Sequence, residues 1–176
     1  RAEALRLRRM NLGAEHPQTL QSMNGMSDLH CDMGDFDKAL PLAQRVLDVC
    51  RREQGDIEDH HVNTSTRDSL ARVGGILDDM DDMEAALPLW EEELQECRRT
   101  LGSEHPDTLN SIYRVGSINC DLGRYDAGLS LLREAVAARQ KVLGETDPDT
   151  KNVVRELRYH ERAVTTVTKK RGRRRR

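Results

Sequence analysis

The dipeptide Leu101-Gly102 returns as Leu143-Gly144, 42 positions later, and the stretch between them divides at Gly123 into two segments whose apolar residues keep helical spacing. A period of this length marks a repeat protein, in which one helical hairpin cannot bury its apolar face alone and stacks it on the next. The chain is therefore expected to be an all-α solenoid of antiparallel helix pairs that binds other proteins.

Laid out on this period, the chain gives six segments. Residues 1–12 (RAEALRLRRMNL) read as the second helix of a truncated repeat, and the start at Arg1 points to a piece of a longer array. Unit 1, residues 13–55, has a loop from Gly13 to Pro17, a first helix with Met23, Met26, Leu29 and Met33 on one side, and a turn at Gly34. Its second helix turns Phe36, Leu40, Val46 and Leu47 inward and runs to Arg52. A glycine between two periodic segments supplies the left-handed backbone that a tight helix-to-helix turn needs.

Unit 2, residues 56–102, repeats Leu40-Pro41-Leu42 as Leu87-Pro88-Leu89 at a shift of 47, so five residues are inserted. They are assigned to an exposed loop over 57–63, because loops absorb insertions that would rotate a helix off its face. The stripes of this unit are Leu70, Val73, Ile76 and Met80, then Met83, Ala86, Leu87, Trp90 and Leu94, with Asp81 in place of the turn glycine. Pro41 and Pro88 are placed at or just beyond the first turn of their helices, where a missing N–H costs little.

Unit 3, residues 103–144, sets Ile112, Val115, Ile118 and Leu122 against Tyr125, Leu129, Leu132 and Val136 across Gly123. The phrases His105-Pro106-Asp107-Thr108 and Asp147-Pro148-Asp149-Thr150 open helices, with an Asp or Thr after the proline expected to cap them. Residues 145–163 become a capping helix, since the slot of Ser27, Gly74 and Gly116 there holds the bulky Arg158. Residues 164–176 read as a basic, disordered tail.

Seven of the 28 Lys and Arg residues fall in that tail, which leaves residues 1–168 with a formal charge of −10. An acidic body with a basic end attracts partners of opposite sign, or attracts itself. Cys31 and Cys120 share one register and Cys50 and Cys97 another, so the four read as small buried residues of a reducing compartment and not as a disulfide framework. No apolar run is long enough to span a bilayer and no leader peptide is visible, which points to the cytoplasm, with the nucleus as the alternative that the basic tail suggests.

The loop phrases LGAEHPQTL (Leu12 to Leu20) and LGSEHPDTL (Leu101 to Leu109), with the helix-turn-helix phrase DLGRYDAGLSLLREAV (Asp121 to Val136), resemble tetratricopeptide repeats of the 42-residue kinesin light chain type. The resemblance implies a right-handed superhelix whose first helices line a concave peptide-binding groove. Carried over slot by slot, the groove comprises Gln21, Asn24, Asp28, Cys31 and Asp32, then Asp68, Ala71, Gly75, Asp78 and Asp79, then Asn110, Tyr113, Ser117, Cys120 and Asp121, with Asn152, Arg155 and Tyr159 from the cap. Those of the three full units include six aspartates and no Lys or Arg, so the expected occupant is a basic peptide. The paired groove asparagines of kinesin light chains are replaced by Asn24-Gly25, Ala71-Arg72 and Tyr113-Arg114, and Glu93 stands where an inward alanine is usual. That carboxylate is expected to be partly exposed or paired with Arg72 or Arg114.

The expected function is thus a non-catalytic adaptor without cofactor or metal. The alternative is binding of nucleic acid or an acidic partner through Lys169, Lys170, Arg171, Arg173, Arg174, Arg175 and Arg176. Catalysis finds little support. His60-His61 beside Glu58 and Asp59 lacks the spacing of a metal site, and Asp78 to Asp82 lacks the glycine and terminal glutamate of a calcium loop. His30-Cys31 lies on a helix of structural slots, and neither a phosphate-cradling loop nor a nucleophile motif is present.

Overall fold

The computed structural model describes residues 2–53 and 66–174, with side chains followed to residue 165. All regular structure among them is helical: α1 (Ala2–Leu12), α2 (Pro17–Asp32), α3 (Phe36–Glu53), α4 (Thr66–Asp79), α5 (Met83–Thr100), α6 (Pro106–Asp121), α7 (Tyr125–Leu143) and α8 (Pro148–Arg174). The inserted loop expected over 57–63, with Glu58, Asp59, His60 and His61, lies outside the described residues. The helices gather into two compact units, residues 1–89 and 90–176.

In the first unit, Leu20 and Met23 of α2 pack with Val46, Val49 and Cys50 of α3, and Leu5 of α1 closes on this cluster. Leu70, Val73, Ile76 and Leu77 of α4 are buried as well. Met33 and Met80, expected in the apolar stripes, are instead 56% and 37% exposed. Each stands beside a turn, where the chain leaves the helix and the stripe loses its facing surface. At the crossing of α2 and α3 the Ser27 hydroxyl donates to the Ala39 carbonyl at 3.0 Å, so the small slot brings two backbones together.

The second unit sets Leu109, Ile112, Val115 and Ile118 of α6 against Leu129, Leu132 and Ala135 of α7, with Val153 of α8 also buried. Glu93 of α5 is only 8% exposed and accepts from the Cys97 thiol at 3.2 Å. Arg114 lies over the Trp90 ring at 4.1 Å, and Arg72 is committed to Asp28.

All three hairpin turns close in the same way. Gly34 N donates to Cys31 O and Asp35 N to His30 O; Asp81 and Asp82 repeat this toward Asp78 and Leu77, and Gly123 and Arg124 toward Cys120 and Asn119. This double bond satisfies carbonyls that a helix end leaves open, and it requires the left-handed conformation at its first donor. The φ values are +74° at Gly34 and Gly123 and +59° at Asp81, so the aspartate does adopt the glycine's role.

Helix starts differ from expectation. His16 and His105 are the N-caps of α2 and α6, their Nδ1 atoms accepting from Gln18 N and Asp107 N at 3.2 and 3.1 Å. At α8 the equivalent Asp147 accepts from Asp149 N and Thr150 N. The cap therefore precedes the proline. Thr19, Thr108 and Thr150, two residues after it, share one slot with Thr66 of α4, and all four are buried. Pro41 and Pro88 are the sixth residues of α3 and α5, past the first turn, so each removes a bond the helix would otherwise make. Both are exposed and the helices continue through them, because water can serve the carbonyl left without a donor.

A polar fastening recurs where a second helix meets the next first helix: Arg8 donates to Ser22 Oγ at 2.5 Å, Cys50 Sγ lies 3.5 Å from Ser69 Oγ, and Ser111 donates to Cys97 Sγ at 3.7 Å. Arg139 of α7, in the same register, turns back to the first helix of its own pair and donates to Asn110 Oδ1 of α6 at 2.6 Å. The four donors and thiols occupy one repeat register, and all four cysteines are free.

The C-terminal expectation needs correction. Residues 164–174 continue α8 and are not a disordered tail, so Lys169, Lys170, Arg171, Arg173 and Arg174 fall on helical backbone. Lys and Arg are good helix formers, and Thr165 Oγ1 donates to Glu161 O at 2.8 Å within the helix. Arg175 and Arg176 lie outside the described residues.

Candidate peptide-binding groove

In the first unit, α2 and α4 carry the expected groove slots. Asn24 is buried, whereas Asp28 is exposed and paired with Arg72 of α4, so one carboxylate already has a cation from the chain itself. Asp32 and Asp79 are exposed, and the charge of each acts on the Cys31 thiol. Burial first, then the charges of Asp79 and Asp32, push that thiol up. Asp78 is half-buried beside them. Asp68 lies in the first turn of α4, 3.8 Å from Arg67, where a carboxylate also favours the helix dipole.

The slots of the second unit are engaged internally. Asn110 accepts from Arg139, Tyr113 Oη donates to Glu156 Oε2 at 2.9 Å, and Ser117 donates to the other oxygen of the same carboxylate. His160 Nε2 stands 3.7 Å from Glu156, and Arg139, almost fully buried, lies over the Tyr113 ring at 5.6 Å. Burial, the Glu156 hydrogen bond and its charge push Tyr113 up to about 12. Burial, with the charges of Asp121 and Glu156, pushes Cys120 up to about 11. Asp121 ends α6 in solvent, and Arg155 is exposed on α8, donating to Asn152.

Glu156, Arg139 and His160 are absent from the expected groove. Glu156 occupies the register of Arg72 and Arg114, and Arg139 that of Cys50 and Cys97. The signal was a break in an otherwise kept slot: a buried register that turns from thiol to guanidinium, and a cationic register that turns acidic. Among the described residues, no three His, Cys, Asp or Glu side chains converge as a metal site would require, and no helix is long and apolar enough to cross a membrane.

Models of the tetratricopeptide repeat match residues 1–52, and again residues 66–107 and 108–149. The chain belongs to the tetratricopeptide repeat family. Among solved structures, this tetratricopeptide repeat chain resembles the nearly identical TPR-like repeats assigned to a kinesin light chain of Podosopora anserina, with a TM-score of 0.65, 22% identity, 88% of this chain and 71% of that one covered. It also resembles BtubC (BKLC) from P. vanneervenii, with a TM-score of 0.65, 18% identity, 92% of this chain and 61% of that one covered. No curated protein matches the sequence. The likeness establishes the fold as an all-α helical repeat of the kinesin light chain-like kind, and repeats of this family serve as scaffolds for protein–protein interaction.

Proposed function

We propose that this tetratricopeptide repeat chain is a non-catalytic adaptor that holds a basic peptide against the acidic patch of α2 and α4. The observation that carries the reading is the Asp28–Arg72 ion pair linking α2 to α4, with Asp32 and Asp79 exposed and Asp78 half-buried on the same two helices. Lys or Arg side chains of the peptide meet Asp32 and Asp79 directly and compete with Arg72 for Asp28. Rigid helices present the carboxylates in place, so the peptide alone loses freedom on docking. Exposed pairs are weak one by one, so several act together and added salt loosens the complex.

The test is fluorescence anisotropy of a labelled Lys/Arg-rich peptide with the whole chain. Asp32→Lys combined with Asp79→Lys turns two attractions into repulsions and should weaken capture by about tenfold or more. Equal affinity in the double variant would reject the patch as the binding site.

A further inference from the structure

The exposed cations of residues 90–165 are mostly matched. Arg98 pairs with Glu134, Arg99 with Glu96 and Arg133 with Glu161 at 2.7 to 2.8 Å, and Lys141 with Glu104. Lys151, Arg155 and Arg158 are the exception: among the described residues none of them reaches a carboxylate, and the Arg155 guanidinium bonds only the neutral amide of Asn152. All three are exposed, and they recur at i, i+4 and i+7 on one face of α8.

They line a single trough of about 470 Å³ between α7 and α8, together with Gln140, Glu145, Thr150 and Val154. Thr150 is 1% exposed, and its buried hydroxyl, like that of Thr19 in the same slot, has no hydrogen-bond partner. Three like charges along roughly 10 Å of helix repel one another, which an anionic ligand relieves. Glu145 is the one opposing charge of the lining.

We propose that the trough between α7 and α8 is a docking site for an acidic segment of a partner protein. Its carboxylates meet Lys151, Arg155 and Arg158. The half-buried Val154 and the aliphatic stems of the three cations offer apolar surface to such a segment. A nucleic-acid backbone would instead leave that apolar surface unused. Arg158 occupies the register in which Ser27 and Gly116 admit their own second helices, so a close-packed neutral helix is excluded and an acidic one is matched. The site differs in charge, helices and partner from the acidic patch of α2 and α4, and each stands or falls without the other.

A labelled peptide with Glu at i, i+4 and i+7 is titrated into the full chain at low and at physiological salt. Replacing Lys151, Arg155 and Arg158 together by Gln should weaken binding about tenfold or more while circular dichroism stays as it was, and the pair Lys151→Gln and Arg158→Gln, which spares the groove slot of Arg155, should weaken it in the same direction while capture of the Lys/Arg-rich peptide is unchanged. Unchanged affinity for the Glu-rich peptide overturns the proposal. So does tighter binding of an oligonucleotide that the triple variant loses, which would make the trough a nucleic-acid contact. Self-association of the chain that the triple variant abolishes would assign the trough to a second copy and equally overturn it.

Discussion

Gly128 of α7 lies so close to Gly116 of α6 that a Cβ on Gly128 would stand 2.7 Å from the Gly116 carbonyl oxygen and 2.8 Å from the Cys120 amide nitrogen. That Cβ would also stand 2.5 Å from Cys120 Sγ, and although a side chain can shift, the two backbone atoms cannot rotate aside. Gly128→Ala should therefore destabilise the fold by about 1–3 kcal/mol through overpacking, outweighing the gain of up to about 1 kcal/mol from alanine's helix propensity. The check is a lowered urea midpoint at unchanged m-value. At Gly116 an added Cβ would meet Leu131 and Leu132 side chains at 3.1 to 3.2 Å, so Gly116→Leu should also destabilise, again by about 1–3 kcal/mol, as the helices separate.

Asp81 performs a glycine's task at φ +59°. Asp81→Gly should raise stability by up to about 1 kcal/mol, the relief of the left-handed backbone exceeding the added freedom of the unfolded chain. A β-branched residue cannot adopt this conformation without strain, so Asp81→Val should lower the melting temperature. Thermal unfolding of the two variants beside the parent gives the sign.

The Tyr113 phenol is pushed up to about 12 from the ordinary 10, so the folded state holds a proton that the unfolded state has released between those values. Its contribution to stability is fully present below pH 10 and is lost as pH rises toward 12. Ultraviolet titration of the phenolate band should show one tyrosine lagging the others, and Tyr113→Phe should remove both the laggard and its share of the alkaline destabilisation.

The thiols should separate by accessibility. Cys50, Cys97 and Cys120 are buried and Cys31 is half-buried. A thiol reagent at neutral pH should label Cys31 first, slowly because its thiolate is disfavoured, and the other three only on unfolding. Mass spectrometry of partly labelled protein identifies the order.

Sequence revealed whatever repeats. The period, the turns at Gly34, Asp81 and Gly123, and the stripes of Leu70, Val73, Ile112 and Val115 follow from spacing alone, since local propensity and burial agree there. Events confined to one copy were less legible. Met33 and Met80 fit the period but lie where a helix has run out of neighbours, and His16 and His105 cap helices through a ring nitrogen that composition rules assign to Asp or Thr. The Glu156 clasp on Tyr113 and Ser117 joins residues about 40 positions apart, a pairing that no single helix pattern records. Charge counting found the acidic slots but not that Arg72 answers Asp28, because a count carries no partner.

The most direct measurement is a backbone amide chemical-shift map of the isotopically labelled chain titrated with the Lys/Arg-rich peptide. Concentrated, saturable shifts at Asp28, Cys31 and Asp32 of α2 and at Asp78 and Asp79 of α4, weakening as salt is added, are the predicted result. Shifts that leave α2 and α4 untouched while appearing elsewhere, or none at concentrations where the peptide binds, would contradict it.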